Sequence, residues 1–129
     1  MTKKRDAPLT PLELEIMTVL WTNGESNVQA VQQALPRELA YTTVQTVLNI
    51  LQRKGRVKRT KHDRAFFYKP IVSRSEVAQS ALRDMVKRMF GGSAESLVMS
   101  LVETRELTPK KLEHLQKMVR DAEAKKEGR

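Results

Sequence analysis

The side chains best suited to recognising another molecule are concentrated in residues 41–55. Read with the helical period, this stretch has an apolar stripe on one face and a polar face without a carboxylate on the other. Arg can fork onto guanine, Asn or Gln onto adenine, and a Thr methyl group packs against the thymine methyl. The stretch therefore predicts a DNA-recognition helix, with a Thr-rich surface helix as the alternative. The polar face comprises Thr42, Gln45, Thr46, Asn49 and Arg53, and the apolar stripe comprises Val44, Val47, Leu48 and Leu51.

Helices that precede this stretch are expected to position it. Thr10 and Glu13 have the spacing of a capping box, and Ser26 and Gln29 repeat it before a shorter helix that ends at Pro36. The recognition helix follows after only a few residues. Two short helices, a tight connection and a third helix with a polar face are typical of a helix-turn-helix.

Basic residues continue beyond the recognition helix into a predicted β-hairpin. β-forming residues 56–61 and 66–69 flank a polar turn at residues 62–65. Basic side chains far outnumber acids here, and such a hairpin directly after a recognition helix predicts the wing of a winged helix, whose cations hold phosphates. The basic residues predicted to contact DNA are Arg53, Lys54, Arg59, Lys61 and Arg64.

The remainder of the chain is predicted to form amphipathic helices. Residues 70–73 mark the domain boundary, and the following apolar stripes have too little mass for an independent core. The stripes are predicted to meet a second copy of the chain, and packing against the winged helix in a monomer is the alternative. The predicted dimerisation residues are Leu82, Met85, Leu97, Leu101, Leu112, Leu115 and Val119.

Composition limits the function classes. The chain of 129 residues has a net charge of +9, which favours a polyanionic partner such as nucleic acid. It has no cysteine, which excludes disulfides and thiolate metal sites and fits a reducing cytoplasm. No apolar run long enough for membrane insertion is present. His62 and His114 stand apart from any partner for catalysis or metal binding, so we predict neither an enzyme nor a cofactor.

The predicted fold class is mainly α with a small β-hairpin: a winged helix-turn-helix followed by a helical dimerisation region. The predicted organisation is a flexible basic tail at residues 1–9, the winged-helix DNA-binding domain at residues 10–71 and the dimerisation region at residues 72–129. The function predicted from these features is sequence-specific binding of double-stranded DNA. The alternative is a winged-helix protein-interaction module, since a fold does not fix a function.

Several of these segments together resemble the penicillinase-repressor family, which includes the BlaI and MecI types. The segments are residues 9–17 with 19–21, residues 41–44 with Leu51 and residues 54–55, Tyr68 with Pro70, and residues 91–93 leading into 96–98. The resemblance implies a bacterial winged-helix repressor that binds a dyad-symmetric operator as a homodimer. By the family pattern, the residues of the recognition helix that lie in the major groove are Thr42, Thr43, Gln45, Thr46 and Asn49.

The sequence departs from this family in its signalling features. In the best-known members a membrane-bound metalloprotease sensor cuts an Asn-Phe bond in the dimerisation region, and Ser100-Leu101 stands at the matching position. This pair is therefore the candidate proteolytic site that the resemblance implies, and the inducing signal is left open. Copper-responsive relatives have a carboxy-terminal cysteine cluster, so the absence of cysteine excludes thiolate copper sensing.

Overall fold

The chain combines helices with a three-stranded antiparallel sheet, which confirms the mainly α prediction. A computed structural model describes residues 8–127, so residues 1–7 of the predicted basic tail lie outside the described residues. Leu9, predicted to belong to that tail, packs against the core instead. The elements are α1 (Pro11–Asn23), β1 (Ser26–Asn27), α2 (Val28–Ala34), α3 (Tyr41–Arg53), β2 (Val57–His62), β3 (Ala65–Pro70), α4 (Arg74–Met89), α5 (Ala94–Glu103) and α6 (Pro109–Glu127).

The start of α1 has the predicted capping box. The Thr10 Oγ1 accepts the Glu13 N–H at 3.1 Å, and Glu13 Oε1 accepts the Thr10 N–H at 2.8 Å. These bonds satisfy amides that the first helical turn cannot pair by itself. The helix ends at Gly24, whose φ of 80° suits a residue without a Cβ.

The prediction that Ser26 caps the second helix is wrong. Asn27 is the cap, because its side-chain oxygen accepts the Ala30 N–H at 2.8 Å. Ser26 lies in β1 opposite Tyr68, and its hydroxyl donates to the Gly24 carbonyl at 2.9 Å. Pairing with β3 therefore overrides the local capping pattern and adds a third strand to the hairpin, in the order β1-β3-β2.

The core of the first part of the chain lies between α1, α2, α3 and the sheet. Each of these elements contributes at least one side chain that is fully enclosed, and β3 does so with an aromatic residue. Their burial holds α3 against the rest of the domain by its apolar stripe. The largest fully buried side chains are Tyr68, Ile16, Met17, Leu20, Leu48, Leu51, Val31 and Val44.

The end of α3 is set by a Schellman motif. Gly55 has a φ of 72° and donates to the Gln52 carbonyl at 3.0 Å, while Arg56 donates to the Leu51 carbonyl at 2.9 Å. Gly55 takes the left-handed conformation, which a residue without a Cβ adopts at no steric cost. Since β2 begins at Val57, the wing follows the helix with almost no intervening chain.

The chain divides into two compact units, and the first extends to Leu82. The division thus lies further along the chain than residues 70–73. The indole N–H of Trp21 donates to the Val72 carbonyl at 2.9 Å, and Val77 packs against the core. The beginning of α4 is therefore part of the compact unit that contains the winged helix.

The second unit, from Arg83 on, has no buried residue among those that the structure describes. Its helices have ordinary start signals, such as the Ser93 hydroxyl that accepts the Ser96 N–H at 3.1 Å. Local signals of this kind are sufficient to mark helices, but they do not enclose apolar side chains. This lack of burial is the property that the sequence predicts for helices without an independent core.

Candidate nucleic-acid interface

The polar face of α3 is turned away from the core, as the sequence predicts. Thr42, Thr43, Thr46 and Arg53 are exposed, and Gln45 and Asn49 are half-buried. The opposite stripe is buried, including Val44 and Leu48 with no exposed area. The side chains of this polar face are therefore available to an external partner over nearly the whole length of the helix.

One hydroxyl of this face is oriented by the helix itself. The Thr46 hydroxyl donates to the Thr42 carbonyl at 2.8 Å, one turn earlier. Its proton is thereby engaged within the helix. Thr46 consequently offers an external partner a methyl group and an acceptor oxygen rather than a donor.

Asn49 is attached to the sheet. The Tyr68 hydroxyl donates to Asn49 Oδ1 at 3.1 Å, and the Tyr68 side chain is fully buried. This bond connects the middle of the recognition helix to β3. It also shows which face of the hairpin is turned toward α3, namely the face that contains Tyr68.

The same face of the hairpin contains two of the predicted phosphate-binding cations. Arg59 lies opposite Tyr68 in the register of β2 and β3, and Lys61 lies opposite Phe66. Residues directly opposite in antiparallel strands share a face of the sheet. Arg59 and Lys61 therefore extend from the face of the wing that is turned toward the recognition helix.

Phe66 is a residue of this interface that the sequence reasoning missed. The Arg59 guanidinium carbon lies 4.1 Å from the centre of the Phe66 ring, and Lys61 Nζ lies 5.8 Å from it. The ring thus holds two cations by cation–π attraction. The signal in the sequence that could have identified it is an aromatic residue at the register position opposite a lysine.

The tip of the wing is a two-residue turn. Asp63 and Arg64 have φ values of 47° and 71°, and His62 pairs with Ala65 on either side. Positive φ at both central positions is typical of the type I′ turn that joins twisted strands. The hairpin prediction is confirmed, and the exposed Arg64 stands at its tip.

Helix and wing tip border one cleft of about 400 Å³. Gln45 of α3 and Arg64 of the turn both line it, together with Tyr41 and Phe66. Gln45, which is predicted to read bases, and Arg64, which is predicted to bind phosphate, are thereby brought together on one side of the domain.

Lys54 does not join this group. Its Nζ donates to Glu13 Oε1 at 2.7 Å and to the Pro8 carbonyl at 3.1 Å. The side chain of Glu13 is only 6% exposed. Burial alone would raise the pKa of Glu13, but hydrogen bonds from Lys54 and Thr10 and the charge of Lys54 hold this pKa below its ordinary value. Lys54 therefore joins α3 to α1, and the contacts that the structure gives its ammonium group are internal ones.

The predicted dimerisation residues present apolar surface. Leu97 is half-buried and the others are at least 37% exposed.

The candidate proteolytic bond lies within α5, where the Ser100 carbonyl accepts the Thr104 N–H at 3.0 Å. A protease would have to unwind this helix before it could reach the bond between Ser100 and Leu101.

The described part of the chain offers no cluster of His, Cys, Asp and Glu side chains that could bind a metal ion. His62 Nε2 lies 3.8 Å from Glu25 Oε1, and the His62 ring lies edge-on to Phe67, with 5.6 Å between the ring centres.

Within residues 8–127, no helix combines the length and apolar content needed to cross a bilayer.

Comparison with known proteins agrees with this geometry. The family model described as Penicillinase repressor matches residues 9–121. The chain belongs to the penicillinase repressor family. Its function is that of a DNA-binding transcriptional repressor.

Individual relatives of the family extend this result. The penicillinase repressor of Bacillus licheniformis is 25% identical over 125 residues, which cover 95% of this chain and 98% of that protein. The transcriptional regulator BlaI of Mycobacterium tuberculosis is 36% identical over 99 residues, covering 74% of this chain and 72% of that protein. The solution structure of the DNA-binding domain of the repressor BlaI has 31% identity and a TM-score of 0.51, and it covers 58% of this chain and 93% of that domain.

Proposed function

We propose that this repressor binds a dyad-symmetric operator as a homodimer, with α3 in the major groove and the wing on the adjacent backbone. Gln45, Thr46 and Asn49 contact base edges in this arrangement. Arg53, Arg59, Lys61 and Arg64 mainly bind phosphates, and Thr42 and Thr43 lie in the major groove at the start of the recognition helix. Since its ligand is operator DNA in a bacterium, the protein acts in the cytoplasm.

The observation that carries this proposal is the shared cleft between α3 and the wing tip. A recognition helix can enter a major groove about 12 Å wide only if neighbouring elements leave its polar face clear. Here the face is clear, and Arg59, Lys61 and Arg64 belong to the element beside it. Base readout and phosphate binding can therefore occur in one docking orientation.

The exposed apolar side chains of α4–α6 support the homodimer. Leu112, Leu115 and Val119 repeat along α6 at the spacing of a coiled-coil seam, and each is at least 37% exposed. A second copy of the chain would remove this surface from water. Two recognition helices related by a dyad then meet half-sites about one helical turn or more apart.

The experiment that tests the proposal sequences the genomic DNA fragments that the purified protein retains, and then measures binding to the enriched site. Gln45→Ala should relax the sequence preference, because Gln45 contacts bases. Lys61→Ala should weaken operator and random DNA alike and reduce the slope of log Kd against log salt by about 1. Equal effects of both substitutions on operator and random duplex would contradict the assignment of roles.

The alternative is a winged helix that binds a protein partner. It needs no basic wing, and its binding need not weaken steeply with salt. DNA binding must do so, because each neutralised phosphate releases about 0.9 counterion. A gel shift with random duplex at two salt concentrations therefore separates the two proposals.

We further propose that repression is relieved when a membrane-bound sensor protease cuts the Ser100–Leu101 bond. This proposal rests on the family resemblance alone. Mass spectrometry of the protein from induced cells would show fragments ending at Ser100. An intact chain on derepressed promoters would assign induction to another signal.

A further inference from the structure

Asn49 is expected from its residue type to read adenine, since an asparagine amide can donate to N7 and accept from N6 at the same time. That bidentate contact requires both the oxygen and the nitrogen of the amide to face the base. The structure gives the oxygen a different partner, the hydroxyl of Tyr68 at 3.1 Å.

The orientation of the Asn49 amide follows from the burial of Tyr68. The Tyr68 side chain has no exposed area, and Asn49 is the hydrogen-bond partner that the described residues provide for its hydroxyl. If the amide were turned over, its nitrogen would donate to the hydroxyl oxygen and the hydroxyl proton would be left without an acceptor. Because a buried donor without an acceptor is costly, the turned orientation is disfavoured by about fivefold or more.

With its oxygen turned toward the buried hydroxyl of Tyr68, Asn49 has its NH₂ group as the end left for an external partner. Asn49 is half-buried, and its amide nitrogen is not among the enclosed side-chain atoms of the described residues that lack a partner, so this end remains accessible from the polar face of α3. Two N–H donors suit a base edge that offers acceptors, which in the major groove means N7 and O6 of guanine or O4 of thymine. Adenine offers N7 as an acceptor, but its N6 amino group is a donor and would find no acceptor in the outward NH₂ group of Asn49.

We propose that Tyr68 is a positioning residue for sequence specificity, which turns Asn49 into a donor-only contact that selects guanine or thymine over adenine at one operator position. This inference rests on the proposed function, because it requires α3 to lie in the major groove. It reverses the base preference that the side-chain type alone predicts for Asn49.

The test compares the base-preference profiles of the full-length protein and three variants on a randomised operator library. Asn49→Ala identifies the operator position, because the profile should become flat there. Tyr68→Phe removes only the hydroxyl and frees the amide to rotate, so adenine should gain about fivefold or more at that same position. In the double variant, Tyr68→Phe should cause no further change beyond Asn49→Ala.

A purely structural role of Tyr68 predicts a different result, namely weaker binding to all sequences with an unchanged profile. That result, or an unchanged profile with full affinity, overturns the proposal. If Asn49→Ala leaves every position as it was, Asn49 reads no base and the proposal also fails, although the wild-type preference and the repressor function stand. A wild-type protein without any sequence preference would instead defeat the proposed function.

A measurement on the wild-type protein makes the test independent of the stability of the variants. The base that Asn49→Ala identifies is replaced by an analogue without its acceptor, 7-deazaguanine for guanine or 5-methyl-2-pyrimidinone for thymine. Wild-type binding should weaken about fivefold or more, while the Asn49→Ala variant should bind both duplexes equally. Equal wild-type binding to both duplexes contradicts the donor-only contact.

Discussion

At the scale of single residues, side chains of the interface acquire their roles from the groups that hold them. Asn49 is fixed by Tyr68, Thr46 by the carbonyl of Thr42, and Arg59 by the ring of Phe66. Each of these contacts reduces the conformational freedom that a side chain would otherwise lose on binding DNA. Preorganisation of this kind favours affinity without adding any contact to the ligand.

The sequence predicted which side chains lie on the polar face, because the helical period determines the direction of each residue. It did not predict the partner of Lys54, which comes from a helix that begins more than forty residues earlier in the chain. The basic character of Lys54 is the same in either role. Only the position of Glu13 beside it distinguishes an internal ion pair from a DNA contact.

The Glu13–Lys54 contact leads to a prediction about pH. Since the pKa of Glu13 is lowered by folding, its carboxylate contributes stability above its ordinary pKa of 4.5, and this stability is lost as the pH falls through the lowered value. Glu13→Gln should decrease the free energy of unfolding by about 1–2 kcal/mol at pH 7, and the difference should shrink below pH 4.5. Urea unfolding at pH 7 and at lower pH measures both values.

The matched control for Glu13 is Glu15→Gln. Glu15 pairs with Arg37 at 2.6 Å, but both side chains of this pair are substantially exposed. An exposed pair contributes little, so this variant should lose less than about 1 kcal/mol. A Glu13→Gln deficit that is constant from neutral pH to well below 4.5 would contradict the ionic role of Glu13.

At the scale of the elements, the wing is predictable as a hairpin but not as part of a larger sheet. β-forming residues on both sides of a polar turn specify β2 and β3 locally. β1 has only two residues, and its pairing with β3 joins positions about forty residues apart. No local pattern encodes such a contact, and the capping pattern at Ser26 points to a different structure.

Arg64 at the tip of the wing leads to a prediction about stability and binding. A non-glycine residue at φ 71° is strained, so Arg64→Gly should raise the stability of the protein by up to about 1 kcal/mol. The same change removes a cation from the proposed interface and should weaken DNA binding about threefold to tenfold at low salt. Thermal unfolding and Kd at two salt concentrations measure the two effects.

The control for the wing tip is Arg64→Lys, which keeps the charge and the strained conformation. This variant should resemble the wild type in stability and retain most of its affinity for random DNA. If Arg64→Gly binds DNA as tightly as the wild type at low salt, Arg64 makes no phosphate contact.

At the scale of the whole molecule, the two compact units differ in how much of their apolar surface is buried. The first unit buries a continuous core, whereas the helices from Arg83 on bury no described residue. Helical period alone predicted the apolar stripes, since it depends only on spacing. It could not identify what covers them, because a stripe facing its own domain and a stripe facing a partner have the same pattern.

The homodimer leads to a prediction about assembly. Leu115→Asp places a charge in the proposed interface, where an unpaired carboxylate is costly to bury. Sedimentation should then show monomers at concentrations where the wild type is a dimer, and operator affinity should fall at least tenfold. Gln116→Asp, which adds the same charge one residue further along α6, should leave the dimer intact. A monomeric wild-type protein would refute the proposed assembly.

The position of Trp21 gives the molecule an intrinsic optical probe. It is the single tryptophan of the chain, its indole N–H is bonded to the carbonyl of Val72, and the Arg74 guanidinium lies 5.5 Å from its ring. Its emission therefore reports on the place where α4 leaves the winged helix, without any attached dye. Because indole fluorescence shifts to longer wavelength on contact with water, detachment of that segment during DNA binding or induction would be visible as a red shift.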